Sequence, residues 1–295
     1  MQRENCAALV CCSNARPRKE EKKIEKLICF LRGMGFSVLP GELLYERQGV
    51  FGGTGRERAK ELMRFYRDPA VKVIFDISGG DIANGILPFL DFDVIAASRA
   101  EFWGYSDLTT VINAIYAKTG KTSVLWQARN LVGADSGNQQ RRFACCAKEL
   151  CRAENAGNGL GSAGDSLFDF EYRFVRGTAM CGIVAGGNTR CFLKLAGTPY
   201  WPDLSGKILL LESLGGGLPQ MDTAFAQLQQ MGAFDQAAGL LLGTFTHLDT
   251  TAGADAALRL ALSYTPKHLP IARTAQIGHG ADARAIRIGE EISLH

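Results

Sequence analysis

A chain of 295 residues is long enough for two domains or one large one, and 46% hydrophobic with 21% charged residues is the make-up of a folded globular protein with a sizeable core. The 33 basic and 30 acidic residues leave a net charge of +3, too even a balance to point to nucleic acid or a membrane surface as the main partner. No apolar run has the length of a membrane span, and the apolar stretch in MQRENCAALVCC is too short for a signal peptide, so a cytoplasmic protein is expected. The nine cysteines are odd in number and form no C-x-x-C, which suggests reduced, mostly buried thiols. Four histidines without His–Cys ligand spacing argue against a zinc site, and no metal is expected.

In chain order, Cys6 to Cys12 is a continuous apolar run, as in a strand covered on both faces. Ile24, Leu27, Ile28 and Leu31 then fall at helical spacing, with Lys and Glu on the opposite face, and Gly33 and Gly35 end the helix. FSVLP reads as a second strand. Gly52, Gly53 and Gly55 match neither phosphate-loop nor dinucleotide spacing and are read as a flexible loop before a helix. Val71 to Ile77 is a third strand, ending in Ser78-Gly79-Gly80. A helix through Ile86 and Leu87 and the apolar DVIAAS lead to FWGYSDLT, Phe102 to Thr109, and DLTTVINAIYAKTG is helical.

Strands alternating with helices imply a doubly wound parallel sheet, whose sites lie at the carboxyl ends of the strands. From Ser123 to about Phe174 the pattern weakens, and ENAGNGLGSAGDS reads as a loop. The expected division is 1–125, a connection over 126–175, and a second unit over 176–295. That unit contains the strand KILLLES, a helix from Leu218 to Met231, AAGLLLGTF, a helix from about Ala254 to Ser263, and an ending whose alternation at Ala285 to Ile288 suggests an edge hairpin.

Ser106 follows an apolar strand and Gly104 and precedes a helix, the context of a nucleophile elbow, although Leu108 stands where a second glycine would complete G-x-S-x-G. The same position suits an N-cap. Glu212 closes a buried apolar strand, as a salt-bridge partner or as an acid that orients an imidazole. His279, between two glycines, is a candidate base, with His247 as its rival.

GGDIANGILPFLDFDVI with FWGYSDLTTVINAIYAKTG resembles the nucleophile region of the LD-carboxypeptidase family, serine peptidase family S66. AGGN, GTPYWPDLSGKILLLES and GHG resemble successive motifs of that family, so the resemblance covers nearly the whole chain. It implies a Rossmann-like (flavodoxin-like) parallel-sheet N-terminal domain, a smaller β-barrel-like α/β C-terminal domain, a site between them, a homodimer, and no cofactor. It implies Ser106 as nucleophile, Glu212 as acid and His279 as base, with backbone amides of Gly80 and Asp107 as oxyanion donors. Ser78, Gly79 and Trp126 are expected at the substrate, and Arg129 or Arg99 could meet a terminal carboxylate. The family includes muramoyl-tetrapeptide carboxypeptidases and microcin C immunity peptidases, so the implied substrate is a murein tetrapeptide losing D-Ala or an aminoacyl-nucleotide conjugate. For the conjugate, Trp126, Phe168 or Phe170 would have to stack on the base. A non-catalytic binding protein on the same fold, and a flavodoxin-like or nucleotide-binding domain resting on the parallel sheet alone, are the remaining possibilities. The chain departs from many relatives at Asp81-Ile82-Ala83 after the glycine pair, and at SVLWQARN, where they read T-x-H-G-P or similar.

Overall fold

In the computed structural model, residues 5–151 and 166–295 are described, so most of the glycine-rich stretch expected as the connection lies outside them. Five strands, β1 (Cys6–Val10), β2 (Ser37–Pro40), β3 (Val71–Asp76), β4 (Glu101–Gly104) and β5 (Ser123–Leu125), form a parallel sheet in the order β2-β1-β3-β4-β5. Its strand order reverses between β1 and β3, which opens a crevice at their carboxyl ends. The apolar run at β1 is continuous because both faces are covered: Ala7, Leu9 and Cys11 pack into one core, and Cys6, Ala8, Val10 and Cys12 into the other.

The helix Glu21–Gly33 buries Ile24, Leu27 and Leu31 against one face of this sheet, as their spacing predicts. The helix Gly55–Arg67 starts at a capping box between Thr54 and Glu57. The glycines before it form a packed turn instead of a flexible loop, since a Cβ at Gly52 would lie 2.3 Å from the Leu43 carbonyl oxygen. Ala83–Phe89 is a 3-10 helix containing Pro88, and Phe92–Ala97 forms a short helix capped by the Asp91 side chain.

The second sheet contains β6 (Arg173–Arg176), β7 (Met180–Asn188), β8 (Ile208–Ser213), β9 (Gly239–Phe245) and β10 (Ile271–Arg273). Strands β7 to β10 are parallel, β6 is an antiparallel edge on β10, and the sheet curls as a half-barrel. Along β8, Ile208 and Leu210 face the central core shared with the first sheet, while Leu209 and Leu211 face an outer core with Phe225 and Leu228 of the helix Leu218–Gln230.

The chain ending is not a hairpin. β11 (Ile286–Ile288) pairs antiparallel with β5 of the first sheet, and β12 (Glu291–Leu294) pairs antiparallel with β7 of the second. Gly289, at φ 90°, turns the chain between them and donates to the Val184 carbonyl at 2.8 Å. Alternation recorded that one face of each strand is buried, but not which strand lies beside it.

The helix Thr109–Thr119 joins the sheets. Thr109 to Ile115 are all buried, and the Asn113 amide pairs with the backbone of Gly186 in β7, donating to its carbonyl and accepting from its N–H, both at 2.8 Å. Gly186 has φ 107°, and a Cβ there would lie 2.2 Å from the Leu210 carbonyl oxygen, so only glycine lets β7 present its backbone to Asn113. Asn113→Ala leaves two buried backbone groups unpaired. It is expected to lower stability by about 2–4 kcal/mol, measured by urea denaturation.

Candidate active site

Strand β4 ends at Gly104, where a Cβ would lie 2.7 Å from the Leu108 Cβ. Tyr105 is extended, and Ser106 then turns to φ 58° at the start of a 3-10 turn, Ser106–Leu108, that runs into the helix Thr109–Thr119. A non-glycine residue in the left-handed region costs about 1–2 kcal/mol. The Ser106 side chain caps neither the turn nor the helix, so the capping role that its position also suits is not used. Buried Leu108 and Asp107 hold the turn in place.

Glu212 is fully buried at the end of β8. Its Oε2 lies 2.8 Å from His279 Nδ1, and its Oε1 accepts from Asn188 Nδ2 at 3.1 Å. With Nδ1 bonded to the carboxylate, the imidazole presents Nε2, which has no hydrogen-bond partner among the described residues. The Tyr105 ring packs on the His279 ring at 4.7 Å between centroids. Burial, then the nearby Glu212 carboxylate, pushes the Tyr105 hydroxyl well above its usual pKa, so it stays neutral. Ser106 and His279 line one cavity of about 440 Å³, together with Gly79 and Gly80. No hydrogen bond joins Ser106 to His279 in this structure.

Gly80, at φ 123°, lies so close to Asn14 that a Cβ would come within 2.1 Å of its Cγ. Around it the chain is tied down. Asn14 N donates to the Gly79 carbonyl at 3.1 Å, and the amides of Asp81, Ile82 and Ala83 donate to Asn14, Ser13 and Asp107 side chains. The Gly80 amide has no partner among the described residues. The Asp107 amide follows Ser106 in the first positions of its turn, where N–H groups lack helical partners.

Asp107 has a fully buried side chain. Its Oδ2 accepts from Ser13 Oγ at 2.6 Å and its Oδ1 from Lys194 Nζ at 2.5 Å. Lys194 also donates to the Asp81 carbonyl at 2.9 Å, so one ammonium from the second sheet's side fastens both the glycine loop and the serine turn.

Two of the expected substrate contacts do not line the cavity. Ser78 is fully buried and its hydroxyl bonds Asp76 at 2.5 Å, supporting the glycine loop from beneath. Trp126 is 1% exposed, donates to the Ala283 carbonyl at 3.2 Å and stacks on Phe143, so its face is spent in the core. Phe168 is likewise taken, between the Trp103 ring and Arg287. His247 and Arg99 are exposed and do not line the cavity, whereas Arg129 does. Sequence reasoning missed Tyr105, Asn188 and Lys194. Asn188 carried a signal, since it stands between a strand and a helix that its side chain caps through Cys191 N. Lys194 carried none, because a lysine after a short helix reads as solvated. Among the described residues no group of three His, Cys, Asp or Glu is arranged to hold a metal.

These features define a two-domain α/β protein with a serine, a histidine and a carboxylate converging on a cleft at the strand ends. The family model described as the LD-carboxypeptidase N-terminal domain matches residues 7–125, and that of the C-terminal domain matches 181–294. The chain belongs to the LD-carboxypeptidase family, peptidase family S66. It is 26% identical over 289 residues to a Bacillus subtilis protein named as a probable murein peptide carboxypeptidase, covering 94% of this chain and 85% of that one. It is 27% identical over 233 residues to the microcin C7 self-immunity protein MccF of Escherichia coli, covering 72% and 68%. The structure of MccF with aspartyl sulfamoyl adenosine matches at a TM-score of 0.83 with 20% identity, over 99% of this chain and 93% of that one. The muramoyltetrapeptide carboxypeptidase of Oxalobacter formigenes matches at a TM-score of 0.79 with 22% identity, over 98% and 94%.

Lys194→Met strands a buried carboxylate and is expected to cost about 3–5 kcal/mol. Adding Asp107→Asn should recover part of the loss, read by urea denaturation of the single and double variants. At position 106, Ser106→Gly should be more stable than Ser106→Ala by about 1 kcal/mol, because only glycine relieves the left-handed strain. Equal midpoints would show that φ relaxes on substitution.

Proposed function

We propose that this chain is a serine carboxypeptidase that hydrolyses an L,D-peptide bond and releases terminal D-Ala from a murein tetrapeptide. One observation carries the reading: the Glu212–His279 pair at 2.8 Å leaves Nε2 without a partner among the described residues, and His279 lines the cavity in which the strained Ser106 stands. His279 Nε2 takes the proton as Ser106 Oγ attacks the carbonyl carbon, and Glu212, steadied by Asn188, stabilises the imidazolium. The amides of Gly80 and Asp107 receive the oxyanion, and each such donor contributes about 3–4 kcal/mol to the transition state. His279 then protonates the departing amine, and water, activated by the same imidazole, releases the acyl group. The division at 125 and 176, with Glu212 and His279 on the C-terminal unit, and a cytoplasmic homodimer acting on imported peptides belong to the same proposal.

The second reading, an aminoacyl-nucleotide conjugate as substrate, draws on the likeness to MccF. It is the weaker because Tyr105 is the only Phe, Tyr or Trp among the described residues lining the cavity, and it packs on His279. A non-catalytic binding protein has no physical reason to keep a serine at φ 58° beside an oriented imidazole.

Mass spectrometry of the protein incubated with murein tetrapeptide is expected to show loss of one D-Ala. Ser106→Ala and His279→Ala should each slow that loss by at least about 10³-fold with unchanged folding. Turnover that survives Ser106→Ala would sink the mechanism. No turnover by the parent would remove this substrate.

A further inference from the structure

The wall of the catalytic cavity carries a guanidinium that forms no salt bridge among the described residues. Arg129 sits in the 3-10 helix Ala128–Val132, anchored by buried Ala128 and Leu131. Its guanidinium makes no side-chain hydrogen bond or ion pair among the described residues, and its Nε is buried without a partner. Burial, then the neighbouring Arg16, pulls its pKa down to about 10, so it remains protonated at neutral pH. Arg16 lines the same cavity but is engaged by Glu20 at 2.5 Å, the one carboxylate among the described lining residues. Lys23 also lines the cavity but is exposed, so Arg129 is the partly buried cation there that has no ion pair among the described residues.

Its position relative to the reacting groups is defined. An ideal Cβ on Gly79 would have Arg129 Nη2, at 3.9 Å, as its sole neighbour within 4 Å, so the guanidinium lies beside the glycine loop. Gln127 ties the two together. Its Oε1 accepts from Arg129 N and its Nε2 donates to the Ser78 carbonyl, both at 3.3 Å.

We infer that Arg129 is the receptor for an oxyanion on the leaving group, and that this anion is the terminal carboxylate of the single residue released. The inference rests on the reading of the site as a serine carboxypeptidase. A guanidinium accepts a carboxylate or a phosphate through paired N–H donors, and a fixed cation just beyond the glycine loop admits one residue past the scissile bond. That makes the enzyme a carboxypeptidase and not an endopeptidase.

The test compares murein tetrapeptide with the same peptide capped as its C-terminal amide, for the parent, Arg129→Gln and Arg129→Lys. The parent's preference for the free acid, as a ratio of kcat/KM values, should be about 10- to 100-fold. It should fall towards one in Arg129→Gln and be partly kept in Arg129→Lys. An unchanged ratio in Arg129→Gln, whether or not both rates fall, overturns the assignment.

A second measurement is independent of turnover: protection of Ser106 from a fluorophosphonate by acetyl-D-alanine, inorganic phosphate or adenosine monophosphate. Protection by acetyl-D-alanine that is lost in Arg129→Gln supports the carboxylate. If the parent cleaves neither peptide, yet adenosine monophosphate or phosphate protects in an Arg129-dependent way, the peptidase reading fails and the anion site serves a phosphate instead. If no anion protects differently in parent and Arg129→Gln, the site is overturned.

Discussion

The arrangement of the cleft depends on the docking of one helix against one strand. The helix Thr109–Thr119 begins at the serine turn, and β7 ends at the asparagine that holds Glu212. Asn113 grips the backbone of Gly186, and Thr109 Oγ1 accepts from Asn188 N at 3.0 Å. Two polar side chains on one helix face thus fix the distance between the serine on the first sheet and the carboxylate on the second. Both contacts are fully buried, where an unmade hydrogen bond is costly and a made one admits little play. The apolar core beneath them supplies most of the stability, but dispersion and burial are non-directional and would tolerate small slippage.

A second set of buried polar contacts shapes the loop opposite the histidine. Asp76, Ser78, Ser13 and Asn14 support the glycine pair from the β1 side, and Lys194 closes it from the other domain through Asp107 and Asp81. Asp76 is itself fully buried, and burial raises its pKa against the hydrogen bonds it accepts from Ser78 and Cys12. Keeping such groups inside is a cost that a purely structural loop would not carry. Under the proposed function it preorganises backbone donors before any substrate arrives.

Much of the candidate site was legible in the residues. Ser106 stood out because a strand, a glycine and a helix leave few conformations for the residue between them, and φ 58° is the local answer. Glu212 stood out because a carboxylate after four apolar residues needs a partner, and His279 because flanking glycines expose it. Trp126 and Ser78 have chain neighbours that reach the cavity, but the Trp126 ring packs in the core and the Ser78 hydroxyl is held by Asp76 and Ser13. Arg129 was visible only as a position. That it forms no salt bridge among the described residues is a relation between residues far apart in sequence.

The sequence by itself determined the layered α/β architecture, because periods of 3.6 and 2 in apolar residues record which faces are buried. It also determined the strained serine turn, which is a local matter of Gly104, Tyr105 and Ser106. Only the tertiary structure decided which strands are neighbours, that β11 crosses to the first sheet, and that Glu212 meets His279 across 67 positions of chain. Local propensity is set within a few residues, whereas these pairings depend on how two sheets pack around a shared core. That packing is a property of the whole chain.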